Sequence, residues 1–359
     1  MIPSASAYMD VLPGVPFYPG PNGRTLSGNG QVVIGYKTSS QESYYFRWTP
    51  AGTTTRLPSG PGGYAWSPPA SLSNDGNTIV GTGEHAGTTS IIWKSGLGTY
   101  TVTDGKTSMY SGVAPDASYA VRIDFSSKRE TAYRDYPDFS FTKWATVSGD
   151  NSHLEGVTED ASRLFGTAND SYFNKVLPCY WDSAGEITFC AAIADQLNPV
   201  PSFASKTGQY ISGTVDTGQY IQDYGNATTT FVWNTVTNQV VYYTPLSLMF
   251  NYPTFISPDG QVLAISGYIT PYEYTTYIFD HSSPSQASLG YQNVTDWLIS
   301  HQYISHSDLT GRTHFSVTGM SDDEQAVVGT FQKNDQTYVF YVHRLVATAE
   351  PRPTAKLFP

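Results

Sequence analysis

The stretch ASLSNDGNTIVGTG, residues 70–83, joins an Asn-Asp-Gly turn to a short β-branched run that stops at a glycine. One such stretch is an ordinary hairpin signal. Near-copies of it return along the whole chain, which indicates a repeat architecture. The copies are LSGNGQVVIGY from Leu26, LSNDGNTIVGT from Leu72, VAPDASYAVRI from Val113, VTEDASRLFGT from Val157, ASKTGQYISGT from Ala204, ISPDGQVLAIS from Ile256 and MSDDEQAVVGT from Met320.

The spacing of the copies predicts the fold. Their second residues follow one another at intervals of 46, 41, 44, 47, 52 and 64 residues. An aromatic strand comes after each copy, and a turn and a further strand come after that. A period of about 45 residues with several strands per unit is typical of a propeller blade. We therefore predict an all-β, seven-bladed β-propeller that forms one domain over residues 1–346.

The two ends of the chain predict how the ring closes. The seventh copy ends after its aromatic strand, and Tyr8–Leu12 has the pattern of the strand that this copy lacks. We expect this strand, within a closing segment at residues 1–19, to complete the last blade and remove the open sheet edges. The long last interval predicts an insertion at residues 281–316. Residues 347–359 are predicted to form an extended tail.

Composition excludes several classes of partner. The chain has 359 residues, 27 of them Tyr and 32 Gly, and a formal net charge of −11 with only 19 basic residues. Such a chain repels phosphate backbones, so nucleic acid is not an expected partner. No run of about 18 apolar residues predicts a membrane span. The N-terminal sequence has no positive n-region and no apolar h-region, so it predicts no secretory signal.

The repeats resemble those of the HAF-repeat family of extracellular propellers. The resemblance is carried by the S-x-D-G-x-x-V-V-G pattern at residues 73–81 and 321–329 and, more loosely, at residues 257–267. FRWT at residues 46–49 and LPG at residues 12–14 also carry it. It covers nearly the whole chain and implies a propeller architecture without implying an activity. The last unit is similar to the closing repeat of that family, which implies a short helix at residues 295–300 before the final blade. The third and fifth copies lack V-V-G and depart from the family pattern most.

The acidic turns have two interpretations. Stacked carboxylates around a channel could bind a cation, whereas an Asp before Gly caps a tight turn through its own backbone. Copies one and five carry Asn29 and Thr207 at this position, which suits a turn better than a ring of ligands. We therefore predict turn caps and no metal. The carboxylates considered are Asp75, Asp116, Asp160, Asp259 and Asp322.

Other candidate groups yield no catalytic constellation and no cofactor site. Four late histidines could form a metal site with Asp308, but none has the spacing of a metal-binding helix; they are His281, His301, His306 and His314. Pairing Asp182 with Ile187 would place Cys179 opposite Cys190. We expect two buried small apolar residues there, and a cross-strand disulfide remains an alternative.

Tyrosines in predicted loops are the candidate binding residues. Tyr at a loop tip offers rigid amphipathic contact area, although tyrosines also pack well within strands. The residues selected are Tyr220, Tyr224, Tyr272 and Tyr274, together with Leu357 and Phe358 as an apolar anchor in the tail.

These features predict a non-enzymatic structural or interaction propeller. The first hypothesis is a bacteriophage virion protein, in the tail or on the capsid surface. It would occur in several copies and contact other proteins of the particle or the host surface. The alternatives are a secreted or cell-surface carbohydrate-binding propeller and a glycan-cleaving enzyme. Two carboxylates facing each other in the central pocket would favour the enzyme.

Overall fold

The computed structural model describes residues 8–12, 25–38, 43–58, 65–84, 88–102, 107–126, 129–137, 140–148, 152–221, 225–243, 250–270, 273–281 and 291–344. They form seven antiparallel sheets, each the blade of a propeller. The predicted seven-bladed, all-β fold is confirmed. Where the sequence indicated at least three strands per blade, most blades have four.

The strands follow one another blade by blade. They are β1 (Tyr8–Leu12), β2 (Val33–Thr38), β3 (Ser43–Trp48), β4 (Thr54–Arg56), β5 (Ala65–Leu72), β6 (Thr78–Glu84), β7 (Thr88–Lys94), β8 (Gly98–Val102), β9 (Thr107–Val113), β10 (Ala120–Ser126), β11 (Arg129–Asp135), β12 (Phe141–Ser148), β13 (His153–Val157), β14 (Leu164–Asp170), β15 (Lys175–Trp181), β16 (Ile187–Phe189), β17 (Leu197–Ala204), β18 (Tyr210–Ile221), β19 (Gly225–Asn234), β20 (Gln239–Tyr243), β21 (Phe250–Ile256), β22 (Val262–Thr270), β23 (Glu273–Asp280), β24 (Gln292–Asn293), β25 (Thr313–Met320), β26 (Ala326–Lys333) and β27 (Gln336–His343).

Blades two to six are sheets of four consecutive strands, β5–β8, β9–β12, β13–β16, β17–β20 and β21–β24. Blade one is β2–β4, and an isolated bridge from Leu26 to Val33 stands in for its inner strand. In a propeller the first strand of each blade lines the central channel. The turns between first and second strands lie on one face, here called the turn face. Those between second and third strands lie on the opposite face, here called the hairpin face.

The hydrophobic core lies between the blades. Seven clusters of buried side chains occupy the seven interfaces, and each cluster combines residues of two adjacent blades. At the interface of blades four and five, Phe165 packs with Ile211 and Trp233. Since each blade offers an apolar face to both neighbours, stacking buries what a single sheet would leave exposed. This accounts for a sequence in which every repeat carries a pair of buried apolar residues after its turn and an aromatic strand.

The N-terminal strand completes blade seven, as predicted. β1 pairs antiparallel with β27, with Tyr8 opposite His343 and Leu12 opposite Val339. Leu12 is buried in the cluster between blades seven and one. The Tyr341 hydroxyl also donates to the carbonyl of Gly30 in blade one, at 2.9 Å. The last blade is therefore built from both ends of the chain, and it contacts the first.

The repeated turns are held by their own side chains. Asp259 Oδ1 accepts hydrogen bonds from the Ser257 hydroxyl at 2.6 Å and from the Gln261 backbone N–H at 2.9 Å. The same carboxylate-to-backbone bond is made in other copies by Asp75, Asp116 and Asp160. The cap interpretation is confirmed for these. For the seventh copy the prediction was wrong by one residue, because Asp323 caps the turn.

Backbone hydrogen bonds link the turns into a ring on the turn face. Five of these bonds each cross from one blade to the next. The backbone N–H of Asn29 donates to the carbonyl of Asn74, that of Asn74 to Pro115, that of Asp160 to Lys206, that of Lys206 to Pro258, and that of Asp322 to Gly28. The bond from Asp322 to Gly28 joins the last blade to the first, at 2.8 Å. In the turns of blades three and six the corresponding residues are Pro115 and Pro258, and proline has no backbone N–H to donate.

The segment before blade seven contains the helix α1 (Val294–Ser300) and a 3-10 turn at His306–Leu309. The N-cap Asn293 accepts the backbone N–H of Thr295. Trp297 is fully buried between blades six and seven, and its indole N–H donates to the buried Asp280 carboxylate at 2.7 Å. The sequence predicted this helix to within one residue. In the part of the chain that the structure describes, no helix is long and apolar enough to cross a membrane.

The two cysteines are free, and they lie on opposite faces of blade four. Trp181, not Asp182, pairs with Ile187, so Cys179 is opposite Phe189. The one-residue difference in register turns the two thiols away from each other, because alternate residues of a strand face opposite sides. Cys179 packs against blade three and Cys190 against blade five. Burial raises the pKa of the Cys190 thiol to about 12, which leaves it unreactive at neutral pH.

Candidate functional site

The inner strands share an irregularity that shapes the channel. In six blades the pairing between the first and second strands shifts register at the same level, which leaves one inner-strand residue unpaired in a β-bulge. The bulge residues are Ala70, Ser111, Glu155, Ser202, Thr254 and Thr318. Five are small or carry a hydroxyl, and one is a carboxylic acid. The hydroxyls of Thr254 and Thr318 donate to second-strand carbonyls at 3.4 Å.

The bulges explain the glycine that ends the V-V-G pattern. A Cβ on Gly329 would lie 1.9 Å from the carbonyl oxygen of Ser316, and one on Gly213 would lie 2.2 Å from that of Val200. An aromatic ring of the third strand packs over both positions at 2.7 Å. The third copy has Arg122 instead, and this buried guanidinium binds the carboxylates of Asp124 and Asp135.

A second ring of residues lies just above the bulges, on the side of the hairpin face. Each is paired with the residue that follows the glycine position of its second strand. These equivalent residues are Met109, His153, Val200, Tyr252 and Ser316. Apart from Ser316, which is half-buried, they are exposed although they belong to innermost strands. This upper ring is the mouth of the channel.

Blade four places ionisable groups at this mouth. His153 Nδ1 lies 2.9 Å from Glu130 Oε1, and the other oxygen of Glu130 accepts the backbone N–H of Leu154 at 2.6 Å. Glu130 is buried while the His153 side chain is 57% exposed. Glu155, the bulge residue of the same strand, follows His153 by two positions and lies nearer the turn face. Burial raises the pKa of its carboxyl group; the nearby His153 opposes that rise and Glu130 adds to it.

The channel ends in a small cavity above the turn face. It has a volume of about 50 Å³ and is lined mainly by residues that immediately precede the turns. Among the lining residues are Glu159, Phe203, Phe255 and Thr318. At the turn face the Lys206 ammonium group, from blade five, binds the Asp322 carboxylate of blade seven. This ion pair therefore connects two blades that are not adjacent. The turn of blade six between them has Pro258 at the position equivalent to Lys206.

The hairpin face carries exposed aromatic and apolar side chains beside the mouth. Tyr172 is 86% exposed and stacks edge-on against Phe173, with ring centroids 4.9 Å apart. Asp170 accepts both of their backbone N–H groups, which fixes the turn that presents them. In blade five Tyr220 is 70% exposed near the end of the longest hairpin of the ring, and Leu197 at the base of that hairpin is 57% exposed.

The structure describes few of the binding residues predicted from the sequence. Tyr220 is exposed on the hairpin face. Tyr274 lies on β23, and its side chain is outside the described residues, as are Tyr224, Tyr272, Leu357 and Phe358. The proposal that these residues form contacts stays a prediction. The predicted boundaries of the domain, the insertion and the tail also stay predictions.

The late histidines do not converge. His281 lies 3.2 Å from the Tyr243 hydroxyl, whereas His301 Nε2 lies 3.0 Å from the Asp280 carboxylate. Asp308 caps the 3-10 turn through Ser305. Within the described ranges no group of three or more His, Cys, Asp or Glu side chains is arranged to hold a metal ion.

Sequence reasoning missed His153, Glu155 and Tyr172. The inner strand HLEGV precedes its turn and lies outside the repeated pattern, which begins at the last residue before the turn. A signal was nevertheless present. Aligned backwards from the turns, the six inner strands β5, β9, β13, β17, β21 and β25 contain a single carboxylic acid, Glu155, and no lysine or arginine.

The fold is shared with solved structures at low sequence identity. An oligogalacturonate lyase from Vibrio parahaemolyticus superposes with a TM-score of 0.56 at 9% identity, over 94% of this chain and 97% of that one. The β-propeller domain of the Trilobed protease from Pyrococcus furiosus has a TM-score of 0.50 at 13% identity, over 82% and 83%. An acylaminoacyl peptidase from Pyrococcus horikoshii has a TM-score of 0.50 at 13% identity, over 79% of this chain and 46% of its own length.

No family model matches the sequence, and no curated protein is significantly similar to it. At 9–13% identity the likeness to solved structures shows the propeller fold alone.

Proposed function

We propose that the protein is a non-enzymatic interaction propeller that contacts its partner through the hairpin face. The observation that carries this proposal is the exposure of Tyr172 and Tyr220 on neighbouring hairpins of that face. Large aromatic side chains are costly to leave in water, and at interfaces they contribute much of the binding energy. Phe173 and Leu197 add apolar surface beside them.

Both hairpins hold their aromatic residues in defined positions. The turn at Tyr172 is fixed by two hydrogen bonds to Asp170. In blade five, Asp216 accepts the side-chain amides of Asn198 at 2.7 Å and Asn226 at 3.1 Å, which ties the long hairpin to the inner strand. Side chains that are ordered before binding lose less entropy when the partner docks. The face is therefore suited to a specific contact.

The partner that we propose is an assembled particle. A bacteriophage virion, with the propeller in the tail or on the capsid surface, would use several copies of such a ring to contact other proteins or the host surface. The support is compositional: 27 tyrosines, 32 glycines and only 19 basic residues. The HAF-like repeats make an extracellular or cell-surface location the alternative.

Density-gradient sedimentation from the native source tests this proposal. Wild-type protein should band with large particles in a fixed stoichiometry, and the double variant Tyr172→Ser/Tyr220→Ser should be released. Val236→Ser is the matched control, because Val236 is 72% exposed but lies on the turn face. Equal retention of all three proteins, or recovery of wild type only as free protein, would contradict the proposal.

A glycan is the second candidate partner. Exposed tyrosine rings on the loop face are suited to stacking against sugars, and Tyr172 and Tyr220 meet that requirement. One structurally similar propeller is an oligogalacturonate lyase. A glycan array with the same variants tests this candidate. Binding that is lost in the tyrosine variant would favour a glycan, and release of shortened oligosaccharides would contradict a non-enzymatic role.

A further inference from the structure

The long hairpin of blade five carries a group of polar side chains that the repeat does not explain. Its strands β18 and β19 have 12 and 10 residues, more than any other strand that the structure describes. Asp216 Oδ2 accepts an amide N–H from Asn198 at 2.7 Å and another from Asn226 at 3.1 Å. Both asparagines are exposed, and Asp216 is half-buried. These three residues are called the polar cluster below.

Two irregularities of the backbone bring the polar cluster together. The register of β17 against β18 shifts between Leu197 and Val200, and Asn198 within this shift has a φ of +44°. Such a conformation is uncommon for residues other than glycine. The register of β18 against β19 shifts as well, between Asp216 and Tyr220. Side chains from three different strands are therefore gathered around one carboxylate.

An exposed aromatic ring lies beside the polar cluster. Tyr220 pairs with Asn226 across the hairpin, so their side chains leave the same face of the ladder. Asp216 pairs with Thr228, which follows Asn226 by two residues and shares its face. Tyr220 is 70% exposed. The tyrosine ring and the carboxylate therefore flank Asn226 on one face of the hairpin.

The bonds within the polar cluster leave much of its hydrogen-bonding capacity unused. Asp216 Oδ1 and the side-chain oxygens of Asn198 and Asn226 bind no other group among the described residues. Each amide also has a second N–H to donate. A purely structural tie between strands would need only one carboxylate oxygen and one N–H of each amide. The face therefore presents free acceptors and donors next to an aromatic ring.

This combination of groups matches a sugar ring. Each sugar hydroxyl both donates and accepts, so two adjacent hydroxyls can donate to a carboxylate oxygen and accept from an amide. Hydrogen bonds from a hydroxyl to a carboxylate are short and strong. The C–H face of a pyranose is apolar and can pack flat on an amphipathic tyrosine ring.

The charges around the cluster favour a neutral sugar. β17, β18 and β19 contain no lysine or arginine, and the whole chain has a net charge of −11. The Lys175 ammonium group of blade four donates to the carbonyl of Ala194, before β17. A sugar carboxylate would therefore meet Asp216 without a compensating cation from the hairpin.

We infer that the hairpin of blade five binds a neutral pyranose sugar, whose apolar face stacks on Tyr220 and whose adjacent hydroxyls bind the polar cluster. The inference rests on the proposed function, since it takes the hairpin face as the contact face, and it names the chemistry that the blade-five part of that face recognises. One ring on one exposed tyrosine binds weakly. Several copies of the propeller in one particle would raise the overall affinity through multivalency.

Saturation-transfer NMR with the methyl glycosides of glucose, galactose and mannose tests the inference. These three sugars present adjacent hydroxyls in both trans and cis arrangements. Wild type should bind at least one of them saturably, with a Kd of about 1–10 mM. Saturation should reach mainly the protons on one face of the ring. Absence of saturable binding of all three, up to about 100 mM, would overturn the inference.

Two variants locate the binding site. Asp216→Asn keeps the shape and removes the charged acceptor, and Tyr220→Ser removes the stacking surface, so each should weaken binding roughly 10-fold or more. Asp195→Asn is the matched control, because Asp195 is an exposed carboxylate just before β17. Since Tyr220 is largely exposed, its variant keeps the test valid if Asp216→Asn is destabilised. Equal binding by wild type and both variants would contradict the assigned site.

An acidic sugar tests the preference for a neutral one. The methyl glycoside of galacturonic acid should bind more weakly than that of galactose, and tighter binding of the acid would overturn the neutral assignment. Particle retention separates the inference from the proposed function. Sugar binding together with full retention of Tyr172→Ser/Tyr220→Ser would contradict the proposed function and leave the sugar site standing. Tyrosine-dependent retention without sugar binding would overturn the sugar site and indicate a protein contact.

Discussion

At Gly329 a backbone carbonyl occupies the place where a side chain would begin. The oxygen of Ser316 lies 1.9 Å from an ideal Cβ, and the Phe340 ring lies 2.7 Å from it. Neither neighbour can move far, because Ser316 lies in the inner strand two residues from the bulge and Phe340 belongs to the core of blade seven. The glycine of the repeat is thus a packing requirement of the bulge.

We expect Gly329→Ala to lower the free energy of unfolding by roughly 2–4 kcal/mol. Gly52→Ala is the control. Gly52 has a φ of +79° but nothing within 4 Å of its Cβ position, so strain alone should cost about 1 kcal/mol. Denaturant unfolding of both variants gives the comparison. Equal losses would show that the close approach to Ser316 is not what requires glycine.

At the scale of single residues, the sequence predicted most of the turn caps but misplaced one cap and the partner of Cys179. The Asp-Gly pattern gave the caps directly, since an Asp side chain binds its own backbone two residues on. It misassigned the seventh copy because Asp322 and Asp323 are adjacent. It also placed Cys179 opposite Cys190, since a turn of this length permits two registers that differ by one residue.

At the scale of elements, the bulge of β13 contains a partly buried carboxyl group that makes stability depend on pH. Burial raises the pKa of Glu155 in the folded state, so the folded protein holds a proton there more tightly than the unfolded chain does. An acid with a raised folded pKa loses stability as the pH rises from its unfolded value through its folded one.

Glu155→Gln should therefore raise the melting temperature at pH 7.5, by roughly 1–3 °C, and change it less at pH 4. The amide has the shape of the acid and needs no ionisation in a partly buried site. Thermal unfolding at the two pH values measures the difference, with Glu186→Gln expected to have little effect at either. A Glu155→Gln variant that melts below wild type at pH 7.5 would contradict the assigned environment of this carboxyl.

The sequence predicted the outer three strands of most blades and missed the inner ones. Second strands follow a turn and carry β-branched runs, so their pattern is regular. Inner strands such as AWSPPASL and LNPVPSFA contain prolines and a bulge, which interrupt the alternation that marks a strand. The candidate channel site lies on those strands. For that reason the repeated pattern predicted the propeller fold, whereas the distinctive residues of the inner strands were not recognised from the sequence.

At the scale of the whole molecule, both faces and the channel exist only if the ring is closed. Closure depends on β1, which comes from the N-terminal end of the chain, whereas the other strands of blade seven come from the C-terminal end. Without β1 the outer edge of β27 would be open along its length, and open edges promote association between chains. The bond from Asp322 to Gly28 and the bond from Tyr341 to Gly30 join the same two blades on the turn face.

Cysteine trapping measures this closure most directly. Tyr8 lies opposite His343 in the register of β1 and β27, so Tyr8→Cys/His343→Cys should form a disulfide within one chain on mild oxidation. Tyr8→Cys/Thr337→Cys is the control, because six residues of strand place that position about 20 Å away. The native thiols are buried and should stay reduced. A disulfide in the first variant alone, in monomeric protein, is the predicted result; equal trapping in both variants, or links only between chains, would contradict a ring closed by its N-terminal strand.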